Sequence, residues 1–182
     1  PSGIVIDQVT INKTKLGQSR GRITDGGSPW AILAQPVPGD SNNDSPHFSG
    51  FADRPDFDKP AGFYTDSVTV ALTNNEPGAT LYYTLDGTEP SASSDEYTGP
   101  ITLKTTSVLK AMAVSTDSSI LPGFVEYATY FVNANHTLPV ISVAGYELTN
   151  LANGDKDLRP HGSIEYFDKN GARKARTYGE FN

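Results

Sequence analysis

The sequence predicts an all-β protein built around an antiparallel sandwich, and three observations support this prediction. Glycine and proline together make up 30 of the 182 residues, which favours frequent turns over long helices. Short runs of alternating polar and apolar residues recur every 10 to 20 residues between positions 62 and 133. No run approaches the roughly 18 apolar residues that a membrane-spanning helix needs.

The strands of the predicted sandwich follow from period-two patterns bounded by turn residues. In residues 79–85 the alternation places Leu81, Tyr83 and Leu85 on one face of a strand, and we expect these three residues to face the core. The remaining runs of this kind lie at residues 67–72, 101–103, 107–114 and 124–132.

The two ends of the chain carry shorter β-type segments. Residues 4–11 are rich in β-branched side chains and predict a strand, as do residues 138–143 and 163–168. Residues 146–151 predict a single helical turn. A stretch dense in Pro, Gly, Asn, Asp and Ser at residues 35–50 indicates a linker or a long loop.

The distribution of charge predicts three units. Residues 46–134 hold eleven acidic and four basic side chains, whereas residues 1–45 and 135–182 are each balanced. An acidic surface without a basic stripe argues against nucleic acid as a partner. The absence of cysteine excludes disulfides, thiol catalysis and cysteine-based zinc sites.

The central stretch resembles a known family. The run ATLYYTLDGTEPSASSDEYTGPITL (79–103) follows GFYTDSVTVAL (62–72) and precedes TTSVLKAMAV (105–114). Together these residues resemble the immunoglobulin-like module found at the C-terminus of chitobiases and β-hexosaminidases and in many bacterial surface proteins. The resemblance implies an Ig-like or fibronectin-III-like β-sandwich at residues 46–134, with partial β segments at both ends and no catalytic residues of its own.

The flanking segments resemble parts of two other families. SRGRITDGGSPWAILAQPVPGDSN (19–42) resembles the final strands of a lamin-tail domain of bacterial secreted proteins. LPVISVAGYELTNL (138–151) with SIEYFDKNGA (163–172) resembles the first strands of a spore-coat H-type (CotH) kinase domain. The resemblances imply lamin-tail-like strands plus a linker at 1–45 and a truncated CotH-like domain at 135–182. The residues that carry a kinase's chemistry would lie beyond this segment.

Patterns that carry catalysis are missing from the sequence. Ser107 and Lys110 match the S-x-x-K spacing of serine–lysine enzymes, which need the serine at the start of a helix. In a predicted strand, residues three apart point to opposite faces, so the two side chains cannot meet. The histidines His47, His136 and His161 are scattered without metal-ligand spacing. We therefore expect this segment not to be an enzyme.

Several tyrosines are candidates for stacking on a sugar. Tyr64, Tyr82 and Tyr97 are predicted to lie on strands or loops of the sandwich, and nearby Asp and Asn side chains could bond hydroxyl groups. The alternative is ordinary packing, in which Tyr97 anchors the loop that begins at Asp86. Trp30 lies in an apolar run, which favours a core position.

One loop carries oxygen ligands in a spacing typical of calcium sites. Asp40, Asn42 and Asp44 match positions 1, 3 and 5 of an EF-hand loop. Positions 6 and 12 are Ser45 and Phe51, where the motif requires glycine and a bidentate glutamate. A structural Ca²⁺ is therefore one interpretation of the loop, and solvated carboxylates are the other. No further cofactor is expected.

The sequence favours a non-catalytic structural, adhesion or interaction segment of a secreted or cell-surface bacterial multidomain protein. Two alternatives stay open, a carbohydrate-binding accessory module and the N-terminal part of a CotH-type protein kinase. The expected partners are other protein domains or cell-surface proteins, with polysaccharide as a further candidate. We expect any export signal to be removed or to lie outside this segment.

Overall fold

The computed structural model describes residues 3–5, 7–10 and 12–181. It is nearly all β, with 40% of residues in strands and 3% in helix, which confirms the predicted class. The described residues include one helix, α1 (Leu148–Ala152), and no helix among them is long and apolar enough to cross a membrane. The strands, in chain order, are β1 Ser19–Arg22, β2 Trp30–Leu33, β3 His47–Phe48, β4 Gly50–Phe51, β5 Asp56–Phe57, β6 Gly62–Tyr64, β7 Val68–Val70, β8 Leu72–Thr73, β9 Thr80–Thr84, β10 Asp95–Glu96, β11 Ile101–Leu103, β12 Ser107–Val114, β13 Ile120–Leu121, β14 Glu126–Val132, β15 Val140–Gly145, β16 His161–Phe167 and β17 Arg173–Glu180.

The chain divides into two compact units. The first contains the residues up to Phe51 together with Asp117–Leu121, and the second contains the rest. The first unit has an antiparallel sheet in the order β1-β2-β3 and a parallel pair, β4 with β13. Its core is the apolar strand β2, in which Ala31, Ile32 and Leu33 are buried. The three sequence ranges 1–45, 46–134 and 135–182 stay a prediction about family relationships.

The predicted strand at residues 4–11 is wrong for the residues that the structure describes. Residues 4, 5 and 7–10 form no strand, and Ile4 and Val5 are 75% and 69% exposed. No described strand runs beside them, so their backbone groups have no sheet partner despite a favourable composition. Ile6 and Ile11 lie outside the described residues.

The second unit is organised by a five-stranded sheet in the order β10-β9-β12-β14-β6. Neighbouring strands are antiparallel except at one end, where β6 runs parallel to β14 and Gly62 lies opposite Tyr130. Strands β12 and β14 are the centre of this sheet, with eight and seven residues. Most residues of both strands are buried, on the two faces alike.

One face of this sheet, the inner face, packs against the strand pairs β7–β11 and β5–β8. Its buried side chains include Leu109 and Tyr130, and the covering strands supply Val70 and Leu103. The Tyr130 hydroxyl donates a hydrogen bond of 2.8 Å to the carbonyl oxygen of Lys59, which satisfies the polar end of a fully buried ring. This arrangement is the β-sandwich that the sequence predicted.

The predicted core residues of β9 differ in burial. Leu81 is buried, Tyr83 is half-buried, and Leu85 is 38% exposed, so the prediction for Leu85 is wrong. The reason is that β9 ends at Thr84, and Leu85 lies in the following loop, where the covering strands no longer bury it.

The C-terminal sheet consists of β15, β16 and β17 in that order, all antiparallel, and it belongs to the second unit. Ser142 lies opposite Glu165, and Glu165 lies opposite Arg176. Strand β17 follows the turn at Asn170 and was not expected from its charged sequence, RKARTYGE. The second unit therefore has three β layers.

A glycine lies where the loop after β9 meets the C-terminal sheet. Gly87 has φ +81°, and a Cβ there would lie 2.9 Å from the Cβ of Ala144. Gly87→Ala is expected to lower the free energy of unfolding by about 1–3 kcal/mol, because the new Cβ strains the backbone and crowds Ala144. Urea unfolding measures this loss. The matched variant Gly99→Ala meets nothing within 4 Å and should change it by less than about 0.5 kcal/mol. Equal losses in both variants would contradict this account.

Candidate functional site

The second face of the five-stranded sheet carries the main side-chain constellation of the molecule. Alternation along β12 and β14 directs Lys110, Tyr127, Thr129 and Phe131 away from the inner face, and Phe63 of β6 lies beside Phe131. We call these five residues the docking face. It is covered by the C-terminal sheet through hydrogen bonds and ring contacts.

A chain of polar side chains crosses the middle of the docking face. Thr129 Oγ1 donates to Glu165 Oε2 at 2.5 Å, so the Ser142 hydroxyl, 2.7 Å away, is the donor to Thr129. Arg173 Nη1 donates to the other oxygen of Glu165 at 2.6 Å. Thr129 and Glu165 are each 1% exposed. Each buried oxygen in this chain therefore has a partner, as burial requires.

Lys110 is fully buried beside this polar chain. Its ammonium donates to the carbonyl oxygen of Ala144 at 3.2 Å and lies 5.2 Å from the centre of the Tyr178 ring. Burial lowers the pKa of Lys110, and the carboxylates of Glu89 and Asp86 partly oppose that shift. The lysine thus links β12 to both outer strands of the C-terminal sheet.

Aromatic rings close one end of the docking face. Phe63 stacks on Phe131 with ring centres 4.4 Å apart, and the buried Phe167 of β16 meets both rings edge-on at 6.0 and 5.2 Å. The His136 ring lies 3.9 Å from Phe63 on the segment that leads into β15. This cluster provides the apolar part of the contact.

Charged groups close the other end. The Tyr178 hydroxyl donates to Glu89 in the loop after β9, and burial raises the pKa of Tyr178. Glu126 pairs with Arg176 of β17 and, at 3.6 Å, with Arg54. The interface therefore combines an apolar end, a satisfied polar centre and an ion-paired rim.

The loop that holds Glu89 is itself fixed by an aspartate turn. Asp86 Oδ1 accepts from the backbone N–H of Thr88 at 3.0 Å and from its hydroxyl at 2.6 Å. These hydrogen bonds lower the pKa of Asp86. Thr84 Oγ1 closes the turn by donating to the Thr88 carbonyl at 2.8 Å. The DGTEP run is thus a rigid turn that presents Glu89 to the C-terminal sheet.

The predicted sugar-binding tyrosines do not form one platform. Tyr97 contributes to the inner face, where its hydroxyl accepts from the Leu72 N–H at 3.1 Å. Tyr64 is on the edge strand β6, and its hydroxyl donates to the Pro60 carbonyl at 2.6 Å. Tyr82 lies opposite Met112 on the other face, about 14 Å from β6 at three strand spacings. A sugar role for these three residues stays a prediction.

The predicted calcium loop folds around a different aspartate. Asp25 accepts from the Ser41 hydroxyl at 2.7 Å and from the Asn42 N–H at 3.2 Å, which lowers its pKa. Asp40 accepts from the Ser41 N–H at 3.1 Å, and Asp44 is exposed. Across residues 3–5, 7–10 and 12–181, no three His, Cys, Asp or Glu residues are grouped to hold a metal. Calcium binding through Asp40, Asn42 and Asp44 stays a prediction.

Trp30 is not a fully buried core residue. It is half-buried at the start of β2, and the Arg22 guanidinium lies 5.1 Å from its ring centre. Arg22 also donates to the carbonyl of Gly27 and pairs with Asp7. The guanidinium therefore makes a cation–π contact with the half-buried ring.

Comparison with known proteins finds a similarity over part of the second unit, which includes Phe63 and Lys110 of the docking face. Residues 59–120 match the family model of the chitobiase/beta-hexosaminidase C-terminal domain. No curated protein and no solved structure matches the chain. The match spans 62 of 182 residues, from the approach to β6 up to β13, and it fits a non-catalytic accessory module. The lamin-tail and CotH resemblances of the flanks stay predictions.

The docking face was not predicted from the sequence. Lysine and threonine in a strand usually point to solvent, and the sequence alone would place Lys110 and Thr129 there. However, the runs KAMAV (110–114) and YATYFV (127–132) carry apolar residues on both faces of their strands. Strands without a clear polar face are typical of sheets that are covered on two sides. The apolar residues on both faces of β12 and β14 could therefore have predicted that a second layer covers this sheet.

Removal of the charge at the centre of the docking face should destabilise the second unit. Glu165→Gln cannot accept from Thr129 and Arg173 through two oxygens, and we expect a loss of about 2–4 kcal/mol in the free energy of unfolding. The matched variant Glu96→Gln alters an exposed carboxylate on β10 and should change it by less than about 0.5 kcal/mol. Urea unfolding followed by circular dichroism measures both, and a loss in Glu165→Gln no larger than in Glu96→Gln would refute the assigned contacts.

Lys110 should make stability depend on alkaline pH. Because its folded pKa is lowered, the unfolded chain binds more protons between that pKa and about 10.4, and the free energy of unfolding rises with pH in that window. Lys110→Met lacks this contribution, so wild type should gain stability relative to it as pH rises from 7 towards 10. The exposed Lys104→Met should run parallel to wild type. A constant difference between wild type and Lys110→Met would contradict the buried, destabilised ammonium.

Proposed function

We propose that this segment is a non-catalytic scaffold in which the Ig-like module holds the C-terminal sheet at a fixed position and orientation. The observation that carries the proposal is the fully satisfied polar chain from Ser142 through Thr129 to Glu165 and Arg173. Hydrogen bonds of this kind tolerate only small displacements, because their strength falls steeply with distance and angle. A sheet anchored in this way cannot slide over the docking face without leaving buried charges unpaired.

The scaffold role explains why both ends of the docking face carry anchors. Phe167 fills the aromatic end, and Glu126 and Glu89 bind Arg176 and Tyr178 at the other end. Contacts at two separated ends resist rotation as well as translation of the C-terminal sheet. The module and the C-terminal sheet thereby form a rigid spacer, rather than two bodies joined by a flexible linker.

We place this scaffold in a secreted or cell-surface bacterial multidomain protein, with adhesion or contact to other protein domains as its wider role. The support is the match of residues 59–120 to a domain named for the C-terminus of chitobiase and beta-hexosaminidase. A CotH-type kinase downstream and binding of polysaccharide through Tyr64, Tyr82 and Tyr97 are further predictions. Neither has a specific contact in the described residues that favours it over the scaffold.

Hydrogen exchange tests the scaffold directly. If the C-terminal sheet is held rigidly, amides of β16 should open with a free energy within about 1 kcal/mol of amides of β12. Phe167→Ala removes the aromatic anchor at a cost of about 3–5 kcal/mol and should accelerate exchange in β15–β17. Ile141→Ala alters a residue of the same sheet that is 64% exposed and should leave exchange in β16 unchanged.

Two results would count against the scaffold. One is exchange of β16 in the wild-type protein that is orders of magnitude faster than exchange of β12, since that would mean independent movement of the C-terminal sheet. The other is an equal change in the amide exchange of β16 in Phe167→Ala and Ile141→Ala, which would show that Phe167 does not anchor the C-terminal sheet.

A further inference from the structure

One edge of the C-terminal sheet lacks a neighbouring strand and is open to pairing. Strand β15 pairs with β16 on one side, and within the described part of the chain no strand lies on its other side. No backbone–backbone hydrogen bond joins β15 to a described residue outside this sheet. An edge of this kind presents unpaired N–H and C=O groups that another strand can bind.

The backbone groups that point to the open edge are those of Ile141 and Val143. The carbonyl oxygen of Ala144 points towards β16, since the Ser163 hydroxyl donates to it at 3.4 Å and a Cβ at Gly162 would lie 2.6 Å from it. Successive residues of an antiparallel strand direct their N–H and C=O groups to alternate sides. Ile141 and Val143 therefore direct theirs away from β16.

The side chains of the same two residues are exposed. Ser142 reaches the docking face, so Ile141 and Val143 lie on the opposite face of the C-terminal sheet, which we call the outward face. Ile141 is 64% exposed and Val143 is 52% exposed. Their neighbours across the sheet are Tyr166 and Ile164. An apolar surface thus reaches the edge whose backbone groups are unpaired.

The other edge of the sheet is protected against pairing, whereas β15 is not. Strand β17 has the sequence RKARTYGE, and its register with β16 shifts between Tyr166 and Phe167. Charged side chains and an irregular register are features by which natural edge strands avoid binding another strand. Strand β15 has the sequence VISVAG, with no charged residue, no proline and no shift of register. Uncharged segments of high β-propensity pair readily with their own copies.

The pattern of β15 is self-complementary. If two β15 strands run antiparallel with Ser142 opposite Ser142, each Ile141 lies opposite Val143 of the other copy. These residues then direct their backbone groups towards each other, which gives about four hydrogen bonds across the new pair. The β-branched side chains of Ile141 and Val143 also meet on one face, where such cross-strand pairs are stabilising.

The distribution of charge favours β15 as the point of contact between copies. The whole chain carries a formal charge of −7, so two copies repel each other as they approach. Residues 135–182 have equal numbers of acidic and basic side chains, and β15 has none of either. Contact through this strand therefore brings no like charges directly opposite each other.

We infer that two copies of this chain associate by antiparallel pairing of their β15 strands, which joins two three-stranded C-terminal sheets into one continuous sheet. A pair of short strands buries much less than the roughly 800 Å² per partner of a standard interface, so we expect a dissociation constant of about 0.1–1 mM. Because the net charge opposes association, the dimer should tighten when salt screens that charge. This association goes beyond the scaffold role and does not depend on it.

Sedimentation equilibrium of the whole chain tests the inference. Between about 10 µM and about 1 mM protein, we expect a monomer–dimer equilibrium that is at least threefold tighter at about 300 mM salt than at about 20 mM salt. In NMR spectra over the same range of concentration, the amides of residues 140–145 should shift most. A monomer at every concentration would overturn the inference, as would shifts confined to other strands.

Matched lysine variants locate the contact. Val143→Lys and Thr177→Lys place the same charge in the same row of the outward face, because both residues lie opposite Ile164. Both positions are exposed, so the fold should tolerate either lysine, and amide shifts of the monomer check this. Val143→Lys should weaken dimerisation at least tenfold, because its ammonium would lie beside the apolar Ile141 of the other copy. Thr177→Lys should weaken it less than twofold. Equal weakening would mean contact through the outward face instead of the edge, and would refute strand pairing.

Single cysteines test which residues lie opposite each other, since the chain has no cysteine of its own. Under mild oxidation, a mixture of Ile141→Cys and Val143→Cys chains should form the mixed disulfide at least fivefold faster than a mixture of Val143→Cys and Thr177→Cys chains. Directly opposite residues of a strand pair lie within the distance that a disulfide spans. Equal rates in the two mixtures would contradict antiparallel pairing of β15 with its own copy.

Discussion

The burial of both faces of strands β12 and β14 is the constraint on which the second unit depends. A sheet covered on one side can place lysine and threonine in water, but here the C-terminal sheet covers Lys110 and Thr129 as well. Each polar group that loses water must regain a partner at the cost of precise geometry. That requirement fixes Ala144, Ser142 and Glu165 relative to the central strands.

The loop after β9 connects the two sides of this arrangement. Its aspartate turn satisfies backbone groups locally, and its glycine allows Ala144 to approach. Glu89, two residues further on, receives the Tyr178 hydroxyl from β17. The same short segment therefore closes a turn within the residues that match the family model and also contacts the C-terminal sheet.

Much of the fold could be predicted from local patterns. Alternation placed β9, β12 and β14 within a residue or two, and the helical turn α1 was expected at nearly its observed position. These elements are determined by nearby residues. The strand expected at residues 4–11 failed because composition cannot supply a neighbouring strand, and β17 was missed because its charges suit the ion pairs of Arg173 and Arg176.

The candidate sites were harder to predict because they depend on long-range placement. Tyr64, Tyr82 and Tyr97 look alike in the sequence, yet two lie on one face and one on the other. Glu165 and Thr129 are 36 residues apart, and no local pattern announces their hydrogen bond. Tyr83 was assigned to the core because its alternation is correct, and only the extent of the covering strands leaves it accessible.

The parallel pairing of β6 with β14 has a mechanical consequence. The chain enters the central sheet through β6 and leaves it through β14, and these strands lie side by side in the same direction. Tension between residues 62 and 132 therefore pulls along the strand axes in opposite directions. The hydrogen bonds between the strands share that load in shear, instead of opening one after another from an end. Strands loaded in shear unfold slowly under tension. This resistance depends on the unfolding rate rather than on the free energy of unfolding.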